Sequence, residues 1–173
     1  AFQVGLKLAS PFNPKAKLWV EGRKNWEENL RSKVASLQLE QAVWFHCASL
    51  GEFEQGRPVI EKLKKEFPQQ KVVLTFFSPS GYEIQKNYPH ADLVAYLPAD
   101  TANNANTFLS VLKPKLAIFV KYEFWLNYLF ELEKKHIPTF FFFFFIKKHQ
   151  SFFKWYVGNF RRAFKTYFTI YSQ

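Results

Sequence analysis

Short, continuously apolar runs alternate with longer amphipathic ones along most of this chain. "AVWFHCA" (42–48), "KVVLTFF" (71–77), "LVAYLP" (93–98), "LAIFV" (116–120) and "TFFFFFF" (139–145) each predict a strand buried on both faces. Between them, "EFEQGRPVIEKLKKEF" has helical spacing, with Pro58 tolerable only near its beginning or at a kink. "GYEIQKNY" predicts a short helix. Asp100 is placed to cap another, running to about Lys113 before Pro114. "EFWLNYLFELEKKH" predicts a helix that Pro138 stops, "FFKWYVGNFRRAFKTYF" a basic aromatic helix, and "TIYS" a last strand. Strand and helix alternate about six times, the pattern of a doubly wound α/β domain with a mainly parallel sheet.

The beginning of the chain is different. In "AFQVGLKLASPFNPKAKLWV", Phe2, Val4, Leu6 and Leu8 alternate as in a strand, yet Phe2 with Leu6 and Val4 with Leu8 equally fit helical spacing. Pro11 and Pro14 end either element. "KLWVEGRKNWEENLRSKVASL" then predicts helix with a break near Gly22. The expected organisation is a basic, apolar, membrane-proximal segment and helix over 1–37, then the α/β domain over 38–173. In parallel sheets of this kind, ligands bind beyond the carboxyl ends of the strands. Residues 49–53, 78–81, 99–101 and 121–125 follow strands and are expected to gather there.

Composition narrows the partners. The 173 residues include 24 Lys and Arg against 14 Asp and Glu, a formal net charge of +10. Such a surplus suits nucleic acid, acidic lipid or a phosphorylated substrate, or simply a solvated basic surface. No RNP, KH-type GxxG or zinc-finger signature is present, so nucleic acid is not expected. Lys7, Lys15, Lys17, Arg23 and Lys24 lie among Leu6, Leu8, Phe12, Leu18 and Trp19, which suits a peripheral anchor on an anionic membrane surface. The helix at 152–168 has the same character, or it is a core helix with a basic outer face. Cys47 is the only cysteine, so no disulfide forms within the chain, in keeping with a reducing compartment.

Candidate chemistry concentrates after the first strand. Ser49-Leu-Gly-Glu52 has capping-box spacing, and that spacing alone favours a cap. Ser80-Gly-Tyr-Glu83 repeats it. A helix start stabilises a carboxylate and weakens it as a base unless burial or a nearby acid compensates; Glu123, after another strand, is placed to be that acid. In "SPSGYE", Ser78, Ser80 and Gly81 at a helix start suit either an anion or a plain turn. His46, inside the first strand, reads as a core histidine. No metal-ligand spacing occurs, and neither GxGxxG nor GxxxxGK[ST] is present, which disfavours dinucleotide dehydrogenases and P-loop enzymes.

Taken in order, "WFHCASLGEFEQGRP", "LTFFSPSGYE", "YLPADT" and "VKYEFWLN" resemble successive motifs of the amino-terminal half of the 3-deoxy-D-manno-octulosonic acid (Kdo) transferases. The similarity runs from about Leu8 to Gln173. It implies the amino-terminal, Rossmann-like half of a GT-B glycosyltransferase that moves Kdo from CMP-Kdo to the lipid A precursor with inversion, without cofactor or metal. The expected setting is the cytoplasmic face of the bacterial inner membrane. This half would hold the acceptor, and a carboxyl-terminal half absent from the chain would hold CMP-Kdo. By motif, Glu52 matches the family's general base and Glu123 its transition-state stabiliser. Ser49, Gly51, Ser78, Ser80, Gly81 and Lys147 are the expected acceptor and anion contacts. Tyr122 and Leu126 stand where the family has Thr and Pro, and Phe140–Phe145 where it has small polar residues before an arginine. Lys147 or Lys148 would supply that basic group. The alternative, from a different class, is a non-catalytic basic module that binds anionic membrane or phosphorylated glycolipid.

Overall fold

A computed structural model describes residues 11, 13–120 and 125–142. The elements are α1 (Pro14–Glu21), α2 (Trp26–Leu37), β1 (Val43–Cys47), α3 (Leu50–Glu66), β2 (Val72–Phe76), α4 (Pro79–Gln85), β3 (Leu93–Tyr96), α5 (Ala102–Leu112), β4 (Leu116–Val120), α6 (Leu126–Lys134) and β5 (Thr139–Phe142). The strands form one sheet in the order β3-β2-β1-β4-β5, parallel throughout. This is a Rossmann-like α/β domain, as the strand–helix alternation predicts. The expected strand at the chain's end, the helix before it and residues 1–10 lie outside the described residues.

Strand order explains the two-layered core. The chain steps from β1 to β2 to β3 in one direction, then returns to add β4 and β5 on the other side of β1. Right-handed crossovers in opposite directions place their helices on opposite faces. Phe53 and Ile60 of α3 accordingly pack on Phe45, Leu74 and Phe76. On the other face, Phe108 and Leu109 of α5 and Tyr128 and Leu132 of α6 pack on Trp44, Ala117 and Phe119. Leu30 and Val34 of α2 join this second cluster. Every residue of β1 and β2 is buried, which is why both strands lack polar–apolar alternation.

Several boundaries differ from expectation. The first crossover helix begins at Leu50 and runs through Pro58, which therefore sits in its interior. The Glu54 carbonyl loses its intrahelical bond there. Helix α4 starts at Pro79, so Ser78 is its cap, and the Ser80–Glu83 spacing marks no helix start. Thr101, not Asp100, caps α5, accepting from Asn104 N–H at 3.2 Å. Asp100 instead caps α6 from outside, accepting from Asn127 N–H at 3.4 Å and Tyr128 N–H at 3.3 Å. Linear spacing could not show this, because α6 is brought to Asp100 only by the folded chain.

Candidate functional site

Reversal of strand order occurs between β1 and β4, so the carboxyl ends of these two strands flank a switch point of the kind where α/β sheets bind ligands. β1 ends at Cys47, and Ser49 turns the chain in extended conformation (φ −136°, ψ 168°) into α3. This makes Glu52 the third residue of the helix. Its carboxylate reaches back over the helix start, where Oε2 accepts from Ala48 N–H at 2.5 Å. The expected capping box is thus altered. The glutamate binds the N–H before the cap residue, and Ser49 makes no side-chain cap bond.

Glu52 is 6% exposed, an unusual position for a carboxylate. The helix end and the Ala48 peptide supply the positive potential that burial withholds. Its charge is felt nearby: burial first, and then Glu52, push the Cys47 thiol well above its ordinary range, so Cys47 is a small apolar core residue. Gly51 sits on the outer side of this helix start, and a Cβ there would meet nothing within 4 Å. That leaves room for a ligand to approach the backbone.

The next strand end is tied to the first. Ser78 N–H donates to Ala48 O at 2.8 Å, joining the β1–α3 and β2–α4 loops. Ser78 Oγ accepts from Ser80 N–H at 3.3 Å and lies 2.7 Å from Ser80 Oγ, at the surface. Gly81 has a packing role, because a Cβ there would run into the Phe76 ring. The structure therefore brings Ser49, Gly51, Glu52, Ser78 and Ser80 to one edge. Glu123 and Lys147 lie outside the described residues. Glu123 follows β4, the other neighbour of β1.

Beneath this edge is a polar network within an aromatic core. Trp44 Nε1–H donates to Thr75 Oγ1 at 2.8 Å, and His46 Nδ1 shares a 2.9 Å bond with the same oxygen. His46 packs in the core as expected, edge-on to Trp125 at 4.9 Å. Burial, and then the nearby Arg23 charge, lower its pKa to about 3, so it is neutral at physiological pH despite the opposing effect of the Thr75 bond. His46 Nε2 and Trp125 Nε1 have no hydrogen-bond partner among the described residues.

Arg23 and Trp19 correct the expected membrane face. Trp19 is buried, and Arg23 is turned inward onto backbone carbonyls. Lys15, Lys17, Leu18 and Lys24 remain exposed on that side. Among the described residues no helix is long and apolar enough to cross a membrane, and no three His, Cys, Asp or Glu side chains are grouped to hold a metal ion. Sequence reasoning missed the inward role of Arg23. The only local signal was the glycine before it, whose Cβ would strike Tyr96.

A family model described as 3-Deoxy-D-manno-octulosonic-acid transferase (kdotransferase) matches residues 24–169. The 3-deoxy-D-manno-octulosonic acid transferase of Haemophilus influenzae is 30% identical over 105 residues, 60% of this chain and 25% of that protein. Those of Chlamydia muridarum and Aquifex aeolicus are 36% identical over 100 residues and 38% over 85. The Chlamydia match covers 57% of this chain and 23% of the relative, and the Aquifex match 49% and 23%. The chain thus spans about a quarter of the length of these curated relatives.

Proposed function

The chain belongs to the Kdo transferase family, and from that premise we propose that it is the acceptor-side half of an enzyme transferring Kdo from CMP-Kdo to the lipid A precursor. The observation that carries the reading is Glu52, a buried carboxylate at the switch point of a parallel sheet, bound to Ala48 N–H. Glu52 takes the proton from the acceptor's primary hydroxyl as that oxygen attacks the anomeric carbon of Kdo. CMP leaves from the opposite face, giving inversion. Burial and the fixed Ala48 bond hold the base in place, so little reorganisation is needed at reaction. Glu123 acts from the neighbouring strand end as transition-state stabiliser.

In this reading the paired loops at Ser49–Gly51 and Ser78–Ser80 receive polar and phosphate groups of the acceptor. Gly81 acts by letting α4 approach Phe76 closely, and Lys147 adds a positive charge. The donor is held by a second half, and the step uses neither metal nor cofactor. Exposed Lys15, Lys17, Leu18 and Lys24 face an anionic bilayer, placing the enzyme peripherally at the cytoplasmic face of the inner membrane.

The test is Glu52→Gln in the protein carrying both halves, read as single-turnover transfer at saturating acceptor. Gln still accepts a hydrogen bond from Ala48 N–H but cannot take a proton. A positioned base predicts a loss of at least ~10²-fold with little change in Tm. Turnover within a few-fold of the parent would make Glu52 a cap and nothing more.

A further inference from the structure

Arg23 occupies a place that a surface role does not explain. Its guanidinium carbon lies 4.1 Å from the Trp19 ring centroid and 4.8 Å from those of Phe77 and Tyr96. Its N–H groups donate to three backbone carbonyls: Phe77 O at 2.8 Å, Leu97 O at 2.9 Å and Trp19 O at 3.1 Å. The first two lie just past the carboxyl ends of β2 and β3. No carboxylate among the described residues forms an ion pair with it. Burial lowers its pKa to about 9, which leaves it charged at neutral pH.

Its hydrogen bonds lead to Glu52. The Phe77 carbonyl and the Ser78 N–H belong to one peptide unit. The carbonyl accepts from Arg23, and the N–H donates to Ala48 O at 2.8 Å. Ala48's own N–H then donates to Glu52 Oε2. A clamped cation and a buried carboxylate are therefore joined through one peptide unit of the β2–α4 loop and one residue of the β1–α3 loop.

We infer that Arg23 is a positioning residue for Glu52: it fixes and polarises the Phe77–Ser78 peptide, which straps down the Ala48 segment that holds the carboxylate. The inference rests on the reading of Glu52 as the base. Bonds in such a chain strengthen one another, and a charge at one end acts on all of them. Arginine suits the task because its rigid fork reaches several acceptors at once while stacking on rings, whereas lysine presents a single flexible ammonium. Gly22 fits the same arrangement, because any side chain there would displace Tyr96, one of the three rings around the guanidinium.

The experiment uses the protein with both halves, as Arg23→Met and Arg23→Lys, with two readouts. Selective isotope labelling of alanine follows the Ala48 amide, whose shift and exchange rate report its bond to Glu52 without reference to turnover. Transfer from CMP-Kdo to lipid A precursor gives kcat and KM separately. Arg23→Met is expected to move the Ala48 amide upfield, speed its exchange, and lower kcat by about 10- to 100-fold with KM changed less than about threefold. Arg23→Lys recovers part of each effect and serves as the variant if Arg23→Met does not fold. A purely structural latch would lower Tm yet leave the Ala48 amide and kcat, measured well below Tm, as in the parent; that result overturns the inference. An altered amide with parental kcat overturns it as well. A Glu52→Gln control then identifies the cause: if that variant is also active, the base assignment failed, and if it is inactive, the strap is not needed for the reaction.

Discussion

The two ends of the sheet handle charge in opposite ways. At the amino end, Asp92 accepts from Lys64 at 3.1 Å, Lys71 at 3.2 Å and Val72 N–H at 2.9 Å, so its charge is balanced by partners of opposite sign. At the carboxyl end, Arg23 is satisfied by carbonyls, and Glu52 is bound by a peptide N–H. Peptide groups contribute hydrogen bonds to both of these charged side chains. One small sheet thus carries ion pairs at its amino end and peptide-bound charged side chains at its carboxyl end, the end where sheets of this kind bind ligands.

The largest expected effect that sharpens this contrast is on acid stability. An unfolded histidine takes up its proton near pH 6.5, whereas buried His46 resists protonation down to about 3. Its contribution to stability is fully present above about 6.5 and is lost as pH falls toward 3, by up to several kcal/mol at roughly 1.4 kcal/mol per unit. Denaturant unfolding at stepped pH should show this slope, and His46→Asn should flatten it. An unchanged slope would remove His46 from the account.

Next in size is Glu52→Gln, whose ~10²-fold loss corresponds to about 3 kcal/mol of transition-state stabilisation with folding stability nearly untouched. Asp92→Asn should do the reverse at the other end. It should cost about 1–2 kcal/mol of stability and leave transfer and the Ala48 amide as in the parent. Burial alone would raise the Asp92 pKa, but Val72 N–H, Lys64 and Lys71 outweigh it and hold it below the ordinary 3.8. Its contribution is therefore present above about 3.8 and lost as pH falls through the lower folded value, below most of the His46 window. Reduced transfer in Asp92→Asn at a temperature well below Tm would break this contrast between the two ends. The smallest effect expected is Asp100→Ala, which uncaps α6 and should lower stability by about 1 kcal/mol, measured by denaturant midpoint. A loss within error would show that water replaces this cap.

Much of the framework was legible in the chain. Continuous apolar runs located the five described strands to within two residues at each end that the described residues include, because burial on both faces writes itself into composition. Helix starts were less legible. Ser49 and Ser80 carry cap-like spacing, yet the observed contacts begin at Ala48 and Ser78, because a side chain chooses among N–H groups in three dimensions. Motif order singles out Glu52 as a candidate, while nothing in the linear chain displays the contacts around it. Arg23 reads as one more base in a basic stretch until Trp19, Phe77 and Tyr96 are seen to enclose it.

What the sequence determined by itself is the sheet-forming segments, the helices between them, and a carboxylate just past the first strand. These depend on periodicity and near neighbours, which a linear chain displays. The tertiary structure alone decided that Arg23 points inward, that Asp100 caps α6 rather than α5, and that Ala48 links the Ser78 loop to Glu52. Each of these joins segments that come together only through the strand order, and a hydrogen bond is set by distance in space, which separation along the chain does not encode.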